Sequence, residues 1–159
     1  MCGRFTQRRL WRFVALLLIM VGIAQAHSDP IASQDVDVVD GDTIAVKGKI
    51  IHLIDFEAPE LGRRAHCGLE RMLAARATSR LRQIIRTADD IDVQLIECSC
   101  SPGTEGTRWC NYGPACGYLT VNGRDVGHIL IAENLAHPLI CGQFSCPQRK
   151  AWCPFEKAQ

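Results

Sequence analysis

Hydrophobic and polar residues change their spacing several times along this 159-residue chain, and each change predicts a different element. Five short runs have the alternation or β-branched content of strands and are bounded by turn residues. These runs cover residues 34–40, 43–46, 50–55, 91–97 and 115–121. Apolar residues at helical spacing predict a long helix over residues 66–87 and a shorter one over residues 125–135. We therefore expect one domain of five strands and two helices.

The order of these elements indicates a fold class. We expect a mainly β protein of the α+β type, with one helix inserted after the third strand and a second after the fifth. That order suits a small five-stranded Greek-key barrel of the OB type, here stabilised by disulfides. Residues 34–137 would form the barrel domain, and residues 138–159 a cysteine-rich tail with little periodic structure.

The N-terminus has the pattern of an export signal. Arginines precede an apolar run over residues 13–24, and Ala24-Gln25-Ala26 follows it. A basic segment, an apolar run and a small-x-small site are the three parts of a secretory signal peptide, and the run is short for a stable membrane span. We expect residues 1–26 to be removed, which leaves a periplasmic or secreted protein without a stable span. An uncleaved anchor is the alternative.

Removal of this segment changes the charge balance. The segment contains four of the 18 basic residues and none of the 17 acidic ones, so the formal net charge falls from +1 to −3. A protein that coats nucleic acid needs many basic residues, because its affinity comes from contacts with phosphates. The mature composition therefore excludes a strongly basic protein of that class.

Cysteine usage agrees with export. Eight cysteines remain after the signal: Cys67, Cys98, Cys100, Cys110, Cys116, Cys141, Cys146 and Cys153. An even number in an exported chain predicts disulfides. Zinc ligation is the alternative, but C-x-x-C pairs and a histidine at helical spacing are both missing. We expect bridges that hold the loop over residues 98–116 together and fix the tail after Cys141, with a pairing that the sequence does not determine.

Two motifs carry a resemblance to a known family. They are Val39-Asp40-Gly41-Asp42-Thr43-Ile44 and His52-Leu53-Ile54-Asp55-Phe56-Glu57-Ala58-Pro59-Glu60. Asn111-Tyr112-Gly113 precedes the fifth strand, and Asn122-Gly123-Arg124-Asp125-Val126 leads into the second helix. Over residues 34–137 the chain resembles the staphylococcal nuclease (thermonuclease) family. The resemblance implies an OB barrel that cleaves DNA and RNA phosphodiesters with calcium.

The resemblance also implies roles for individual residues. Asp42, Glu57 and the backbone carbonyl of Ala58 would hold calcium, and Glu60 would be the carboxylate that activates water. Glu57 stands where aspartate is usual, and the flexible oxygen shell of calcium tolerates the added methylene. A carboxylate that reaches water beside a divalent cation is a suitable general base. The alternative is that Asp40 and Asp42 only build a turn and that Glu60 only follows a proline.

Both positions at which the family carries a catalytic arginine are substituted, by His52 and Pro114. An arginine offers a planar fork to two phosphate oxygens, and loss of one such donor commonly costs about 10²–10³ in rate. A cationic His52 would be a partial catalytic replacement. Nearby carboxylates are expected to raise its pKa, whereas bound calcium would lower it. A polar barrel residue without a catalytic role is the alternative. We expect hydrolysis to be weak or lost.

Nucleic-acid contacts are expected from four residues: Arg63, Arg64, Tyr112 and Tyr118. The two arginines, together with Arg108, are candidates to replace the lost guanidinium groups, and the tyrosines are suited to stack on bases. Residues 63–86 hold seven arginines and one glutamate. Such a basic helix suits phosphates, although a solvated helix face has the same composition. Single-stranded DNA or RNA is the expected partner, and no protein partner is indicated.

Three interpretations follow from these features. The first is an exported, calcium-dependent nuclease-like phosphodiesterase with impaired chemistry. The second is a non-catalytic OB-fold module that binds nucleic acid or another anion. The third is a disulfide-rich interaction protein whose acidic loop has no function. Calcium binding without hydrolysis would select the second, and the absence of both calcium and nucleic-acid binding would select the third.

Overall fold

The strands and helices lie close to the predicted segments. The computed structural model describes residues 31–104, 107, 110, 113–143 and 145–153. Its strands are β1 (Val36–Val38), β2 (Thr43–Val46), β3 (Lys49–Leu53), β4 (Asp55–Glu57), β5 (Ile91–Ile96), β6 (Ala115–Val121), β7 (Arg124–Asp125) and β8 (His137–Leu139). Its helices are α1 (Gly68–Arg86) and α2 (Val126–Ala132), and single turns of 3-10 helix cover Ser33–Asp35 and Gly62–Arg64. The protein is of the α+β class and consists mainly of strands.

Most of the strands form one curled sheet in the order β1-β2-β3-β6-β5. Neighbouring strands in this order are antiparallel except β3 and β6, which are parallel, and β7 pairs with β6. A separate antiparallel pair consists of β4 and β8. Within the described residues β1 does not pair with β5, so the sheet has the form of a half-barrel.

Two of the predicted strands have different bounds. The run over residues 34–40 is too long, because Ser33–Asp35 form a turn of 3-10 helix and only three residues follow in β1. The run over residues 50–55 contains parts of two strands, because Asp55 has a positive φ of 68° that turns the chain out of β3. The chain then enters β4, which pairs with the segment entering the tail. A turn inside an apolar run has no signature in hydrophobic spacing.

Helix α1 packs against β1 and completes the core. Its buried apolar residues recur at helical spacing and are Ala74, Ala77, Leu81, Ile84 and Ile85. All of them except Ala74 belong to one cluster with Ile44 of β2, Leu53 of β3 and Leu119 of β6. Complete burial of a leucine or isoleucine side chain contributes about 1.5–3 kcal/mol. This core therefore fixes the strands that precede and follow the two acidic motifs.

Four disulfides join the cysteines in the pairs Cys67–Cys153, Cys98–Cys116, Cys100–Cys110 and Cys141–Cys146. Two of them close the loop over residues 98–116 and the other two fix the tail, which confirms both expectations. Disulfides persist in oxidising compartments such as the extracellular space and the periplasm, in agreement with the predicted export. The predicted signal peptide lies outside the described residues. Among the helices of the described part, none is both long and apolar enough to cross a membrane.

Candidate functional site

The first acidic motif forms a tight turn against helix α1. A Cβ atom on Gly41 would lie 2.5 Å from the Cβ of Ala58 and 3.0 Å from that of Ala77, so glycine is required for this approach. Asp40 Oδ1 accepts the backbone N–H of Asp42 at 3.3 Å and stabilises the turn. The turn brings Asp42 against the second motif.

Asp42 joins two motifs that are 16 residues apart in the sequence. Its Oδ2 accepts the backbone N–H of Ala58 at 2.8 Å. Its Oδ1 accepts the hydroxyl of Thr43 at 3.2 Å and lies 3.7 Å from Nδ1 of His52. Burial, followed by the charge of Asp40, raises the pKa of Asp42 to about 7. A carboxylate in such surroundings is stabilised by a nearby cation.

Glu57 is the most deeply buried acidic side chain of the site, with 2% exposure. It ends β4 and pairs in register with His137 of β8. Its Oε2 lies 2.6 Å from Nε of Arg149, but no described group donates an aligned hydrogen bond to this oxygen. The contact is therefore mainly an ion pair. Burial raises the pKa of Glu57, and the charge of Arg149 opposes that rise.

Glu60 lies in the loop between β4 and α1, and a buried carboxylate fixes that loop. The oxygens of Glu70 accept the backbone N–H groups of Glu60 at 3.3 Å and of His66 at 2.7 Å. The side chain of Glu60 accepts Nη1 of Arg149 at 2.6 Å through Oε1. Its Oε2 lies 2.9 Å from Nε of Arg64. The predicted base thus lies between two guanidinium groups.

Arg149 is the functional candidate that the sequence analysis missed. It contacts Glu57 and Glu60 at 2.6 Å each. Burial would lower the pKa of Arg149, but the hydrogen bond to Glu60 and the charges of both glutamates raise it. Arg149 lies 89 residues after Glu60, in a segment without a recognisable motif. Its place between two cysteines of the tail is the one signal that points to it.

The tail that carries Arg149 is held by two cross-links. One disulfide closes the segment between Cys141 and Cys146. The other joins Cys153 to Cys67, the N-cap residue of α1. In the described part of residues 140–153 there is no helix or strand. Covalent bonds therefore position Arg149, whereas Glu57 is positioned by the hydrogen bonds between strands β4 and β8.

The three arginines predicted to replace the lost guanidinium groups, of which Arg63 and Arg64 are also predicted to contact nucleic acid, differ in their surroundings. Arg64 has a side chain that is 66% exposed, and it pairs with Asp40 at 3.3 Å in addition to Glu60. Arg63 is exposed and has no ion pair among the described residues. Arg108 lies outside the described residues. The structure therefore brings only Arg64 of these three to the carboxylates within the part that it describes.

The predicted aromatic contacts are described only in part. Tyr118 is half-buried, and its hydroxyl donates to Asp55 Oδ2 at 3.0 Å. This hydrogen bond is the main cause of a raised pKa at Tyr118. Tyr112 lies outside the described residues. Tyr118 faces the same pocket as His52 and Arg149.

His52 and Pro114 do not restore a cation to the site. Burial lowers the pKa of His52 and outweighs the charges of Asp40 and Glu60, which would raise it. Carboxylates do raise the pKa of His52, as expected, but burial has the larger effect and the net shift is downward. A neutral imidazole at pH 7 has no charge to offer a phosphate. Pro114 has no polar side-chain atom.

A pocket of about 430 Å³ opens beside the carboxylates. Its lining includes His52 from β3, Asp55 from β4, Tyr118 from β6 and Arg149 from the tail. Cavities of this size bind small organic ligands in many proteins. Arg149 contacts Glu57 and Glu60 and also lines the pocket, so it connects the acidic cluster to the pocket.

The donor set suits a calcium ion. Carboxylate and carbonyl oxygens are the ligands that calcium prefers. Within the described part of the chain, the buried Oε2 of Glu57 has no aligned hydrogen-bond donor, although Nε of Arg149 lies 2.6 Å away. However, the ligand atoms of the predicted carboxylates do not form a group within 4.8 Å of one another in the described structure. Among the described residues, one group of three acidic, histidine or cysteine side chains has its ligand atoms within 4.8 Å of one another. It consists of Cys67, Glu70 and Cys153, and the two cysteine sulfurs are joined in a disulfide. Calcium would compete with Arg149 for Glu57.

No protein-family model matches this chain, and no curated protein matches it either. Its function therefore has to be inferred from the chemistry of the site. That site combines four acidic side chains, two arginines and a pocket. Such a combination is suited to binding a divalent cation and a phosphate group.

Proposed function

We propose that this chain is an exported hydrolase of the thermonuclease type, which cleaves phosphodiester bonds of single-stranded DNA or RNA with calcium. The observation that carries the proposal is the hydrogen bond from the Ala58 N–H to the Asp42 carboxylate at 2.8 Å. It joins the two acidic motifs on which the resemblance rests. Residues that only built separate turns would have no reason to meet in this way.

The order of the strands supports an OB-type barrel. The strands β1, β2 and β3 form an antiparallel meander, and β6 returns parallel to β3 after α1 and β5. The OB fold is a five-stranded, partly open Greek-key barrel, and in this chain β1 and β5 are the strands at the two ends of the sheet order. The half-barrel sheet with α1 between β3 and β5 is consistent with that topology.

Calcium, when bound, would polarise a phosphoryl oxygen and favour the ionisation of water. Asp42, Glu57 and the carbonyl of Ala58 are the groups that would hold it. The carboxylate of Glu60 would take the proton of the attacking water, since an ionised carboxylate has about four acceptor positions and arginines occupy only some of them. Its side chain is 22% exposed, which leaves it accessible to water.

The expected activity is low, because the two family arginine positions carry His52 and Pro114. Loss of one well-placed guanidinium commonly costs about 10²–10³ in rate, and the neutral His52 does not compensate. Arg64 is the predicted replacement nearest to Glu60, but its guanidinium also pairs with Asp40. Turnover would then depend on how far the remaining arginines support a phosphate.

A non-catalytic binding module is the second candidate. The observation that favours it is the pairing of Glu60 with both Arg149 and Arg64, at 2.6 Å and 2.9 Å. Arginines that neutralise a predicted base make the cluster stable without any metal. A protein with this arrangement would bind a phosphate and release it unchanged.

The deciding experiment is a cleavage assay on single-stranded DNA with the metal-free, fully oxidised protein, with and without added calcium. We expect slow cleavage that requires calcium and is lost in Glu60→Gln. Glu133→Gln is the matched control, because it makes the same change at a glutamate that binds Arg80 outside the site. Cleavage unaffected by Glu60→Gln would refute the assignment of the base. Calcium binding without any cleavage would favour the binding module.

A further inference from the structure

We propose that Arg149 is the anion-binding residue of the pocket, that it takes one phosphoryl group, and that the Cys67–Cys153 disulfide positions it. The choice of a phosphate ester as ligand rests on the proposed function. The contribution of the tail goes beyond it, because no part of the tail belongs to the acidic motifs. The inference concerns binding and holds whether or not a bond is broken afterwards.

The guanidinium of Arg149 has an edge left for a ligand. Its Nε pairs with Glu57 and its Nη1 with Glu60, while Nη2 has no hydrogen-bond or ion-pair partner among the described residues. The side chain is 49% exposed and forms part of the wall of the pocket. An arginine has five N–H donors in a rigid fork, so two contacts do not exhaust it.

The two glutamates hold this guanidinium in advance of any ligand. A free arginine side chain loses up to about 2 kcal/mol of rotamer entropy when it is immobilised. Here the ion pairs at 2.6 Å have already fixed the fork. Because the side chain is already ordered in the free protein, a phosphate can bind without that entropic cost.

The charges of the pocket limit the ligand to one anionic group. Among the described lining residues, Arg149 is the only lysine or arginine. Asp55 and Glu97 also line the pocket and would repel a second anion. The other residues that line the pocket are largely apolar. A monophosphate ester therefore fits the charge distribution better than a polyphosphate.

The tail reaches this position through bonds on both sides of Arg149. It leaves β8, where His137 pairs with Glu57, and Cys153 joins it to Cys67, the N-cap residue of α1. The ring of Trp152 stacks on that of His137 with centroids 3.8 Å apart. Without the Cys67–Cys153 bond, residues 147–153 would keep the stacked rings, the ion pairs of Arg149 and the backbone hydrogen bond from Lys150 to Glu57, none of them covalent. We infer that reduction of this bond would remove the anion site.

The first test measures binding in the absence of divalent cations, with inorganic phosphate, thymidylyl-thymidine (one phosphodiester) and thymidine as probes. Arg149→Lys keeps the charge but not the fork, and we expect it to weaken binding of the dinucleotide at least about tenfold. Lys150→Ala is the matched control from the same segment and should change affinity less than about threefold. Equal affinities of wild type and Arg149→Lys would overturn the inference. Binding of inorganic phosphate but not of the dinucleotide would contradict an ester as the ligand.

The second test separates positioning from charge. In Cys67→Ser/Cys153→Ser, Arg149 is still present, and we expect the affinity for the dinucleotide to fall by at least about tenfold. Cys100→Ser/Cys110→Ser removes a disulfide whose residues do not line the pocket, and it should leave affinity unchanged. Both variants are compared below their melting temperatures, as judged by circular dichroism. Full affinity in the folded Cys67→Ser/Cys153→Ser protein would refute the positioning role.

These outcomes are distinct from failure of the proposed function. Binding that depends on Arg149 without calcium-dependent cleavage would leave the anion site intact and contradict the hydrolase. Cleavage that requires Glu60 but is unchanged in Arg149→Lys, in a protein that also binds the dinucleotide normally, would support the hydrolase and overturn the anion site.

Discussion

The two sides of the acidic site are built by different means. On one side, Asp42 and Glu57 lie at the ends of short strands, and a hydrogen bond from the Ala58 backbone ties them together. On the other side, Arg149 comes from a tail that is fixed by disulfides. The first side depends on local turns and sheet pairing, whereas the second depends on a bond between residues 86 positions apart.

This difference determines which side of the site can be altered without altering the fold. The strand side shares its residues with the core, so that changes there affect fold and site together. On our inference, the contribution of the tail side can be removed by breaking one covalent bond, Cys67–Cys153. A site with this construction keeps its carboxylates under any condition that preserves the fold, but keeps its guanidinium only while the tail stays attached.

The largest expected effect is therefore on the covalent support of the tail. The Cys67–Cys153 bond closes a separation of 86 residues and the Cys100–Cys110 bond one of 10. If disulfides stabilise by reducing the entropy of the unfolded chain, replacing Cys67 and Cys153 by serine should lower the unfolding free energy by about 4–5 kcal/mol. The same replacement of Cys100 and Cys110 should lower it by about 2–3 kcal/mol. Urea unfolding followed by circular dichroism measures both. Equal losses would mean that the tail has other support and that the two sides are less different than we infer.

The next effect concerns the buried ion pair. Arg149→Ala leaves Glu57 almost fully buried without a cation, and loss of one partner of a buried pair costs about 3–5 kcal/mol. We expect a value of about 3 kcal/mol, since the arginine side chain is 49% exposed and exposure weakens ion pairs. Glu57→Gln in the same chain should recover most of this loss. Lys150→Ala is the matched control and should change stability by less than about 0.5 kcal/mol.

The same division explains how much of the fold the sequence predicts. Apolar spacing predicts α1 and β6 almost to the residue, because their buried positions recur with the period of a helix or a strand over many residues. It merges β3 with β4, because the turn at Asp55 interrupts neither the apolar content nor the length of the run. It omits β8, whose strand character comes from pairing with β4 and has no pattern of its own within three residues.

The candidate site divides in the same way. The aspartates and glutamates of the two motifs are predictable, because their spacing along the chain is tied to the turn that brings them together. Glu70 and Arg149 are not, because each acts from another segment: Glu70 through the amides of Glu60 and His66, and Arg149 through the tail. The pKa of His52 also requires the structure, since its direction depends on how much water the fold removes.

A smaller effect tests whether the strand side binds calcium. Calcium should raise the melting temperature of the metal-free protein, and a ligand at a hundredfold excess over its dissociation constant stabilises by about 2.7 kcal/mol. Asp42→Ala should abolish the shift, while Glu133→Gln should leave it unchanged. In Arg149→Ala the calcium shift should grow, because the competing guanidinium is gone. An unchanged midpoint of the wild type at millimolar calcium would show that the proposed metal site is wrong.

The smallest effect uses an arginine–carboxylate pair outside the site as a reference. Arg80 of α1 donates from Nε and Nη2 to both oxygens of Glu133, at 2.8 Å and 2.7 Å, and so links α1 to the C-cap of α2. This geometry is better than that of Arg149, which contacts each of its two glutamates through one nitrogen, but the side chains of Arg80 and Glu133 are 33% and 35% exposed. Exposed pairs contribute about 0–1 kcal/mol. A negative charge at a helix C-terminus also opposes the helix dipole.

We therefore expect Glu133→Gln to cost about 0.5 kcal/mol at pH 7, far less than Arg149→Ala. The hydrogen bond from Arg80 lowers the pKa of Glu133 below its usual value of 4.5. A carboxylate with a lowered pKa stabilises the fold above the unfolded-state pKa, and the contribution is lost as the pH falls through the lowered value. Unfolding free energies of wild type and variant should consequently converge as the pH falls below 4. A loss of several kcal/mol at pH 7 would show that bidentate geometry, and not burial of the carboxylate, determines how much these pairs contribute to stability. The proposed contrast with Arg149 would then be wrong.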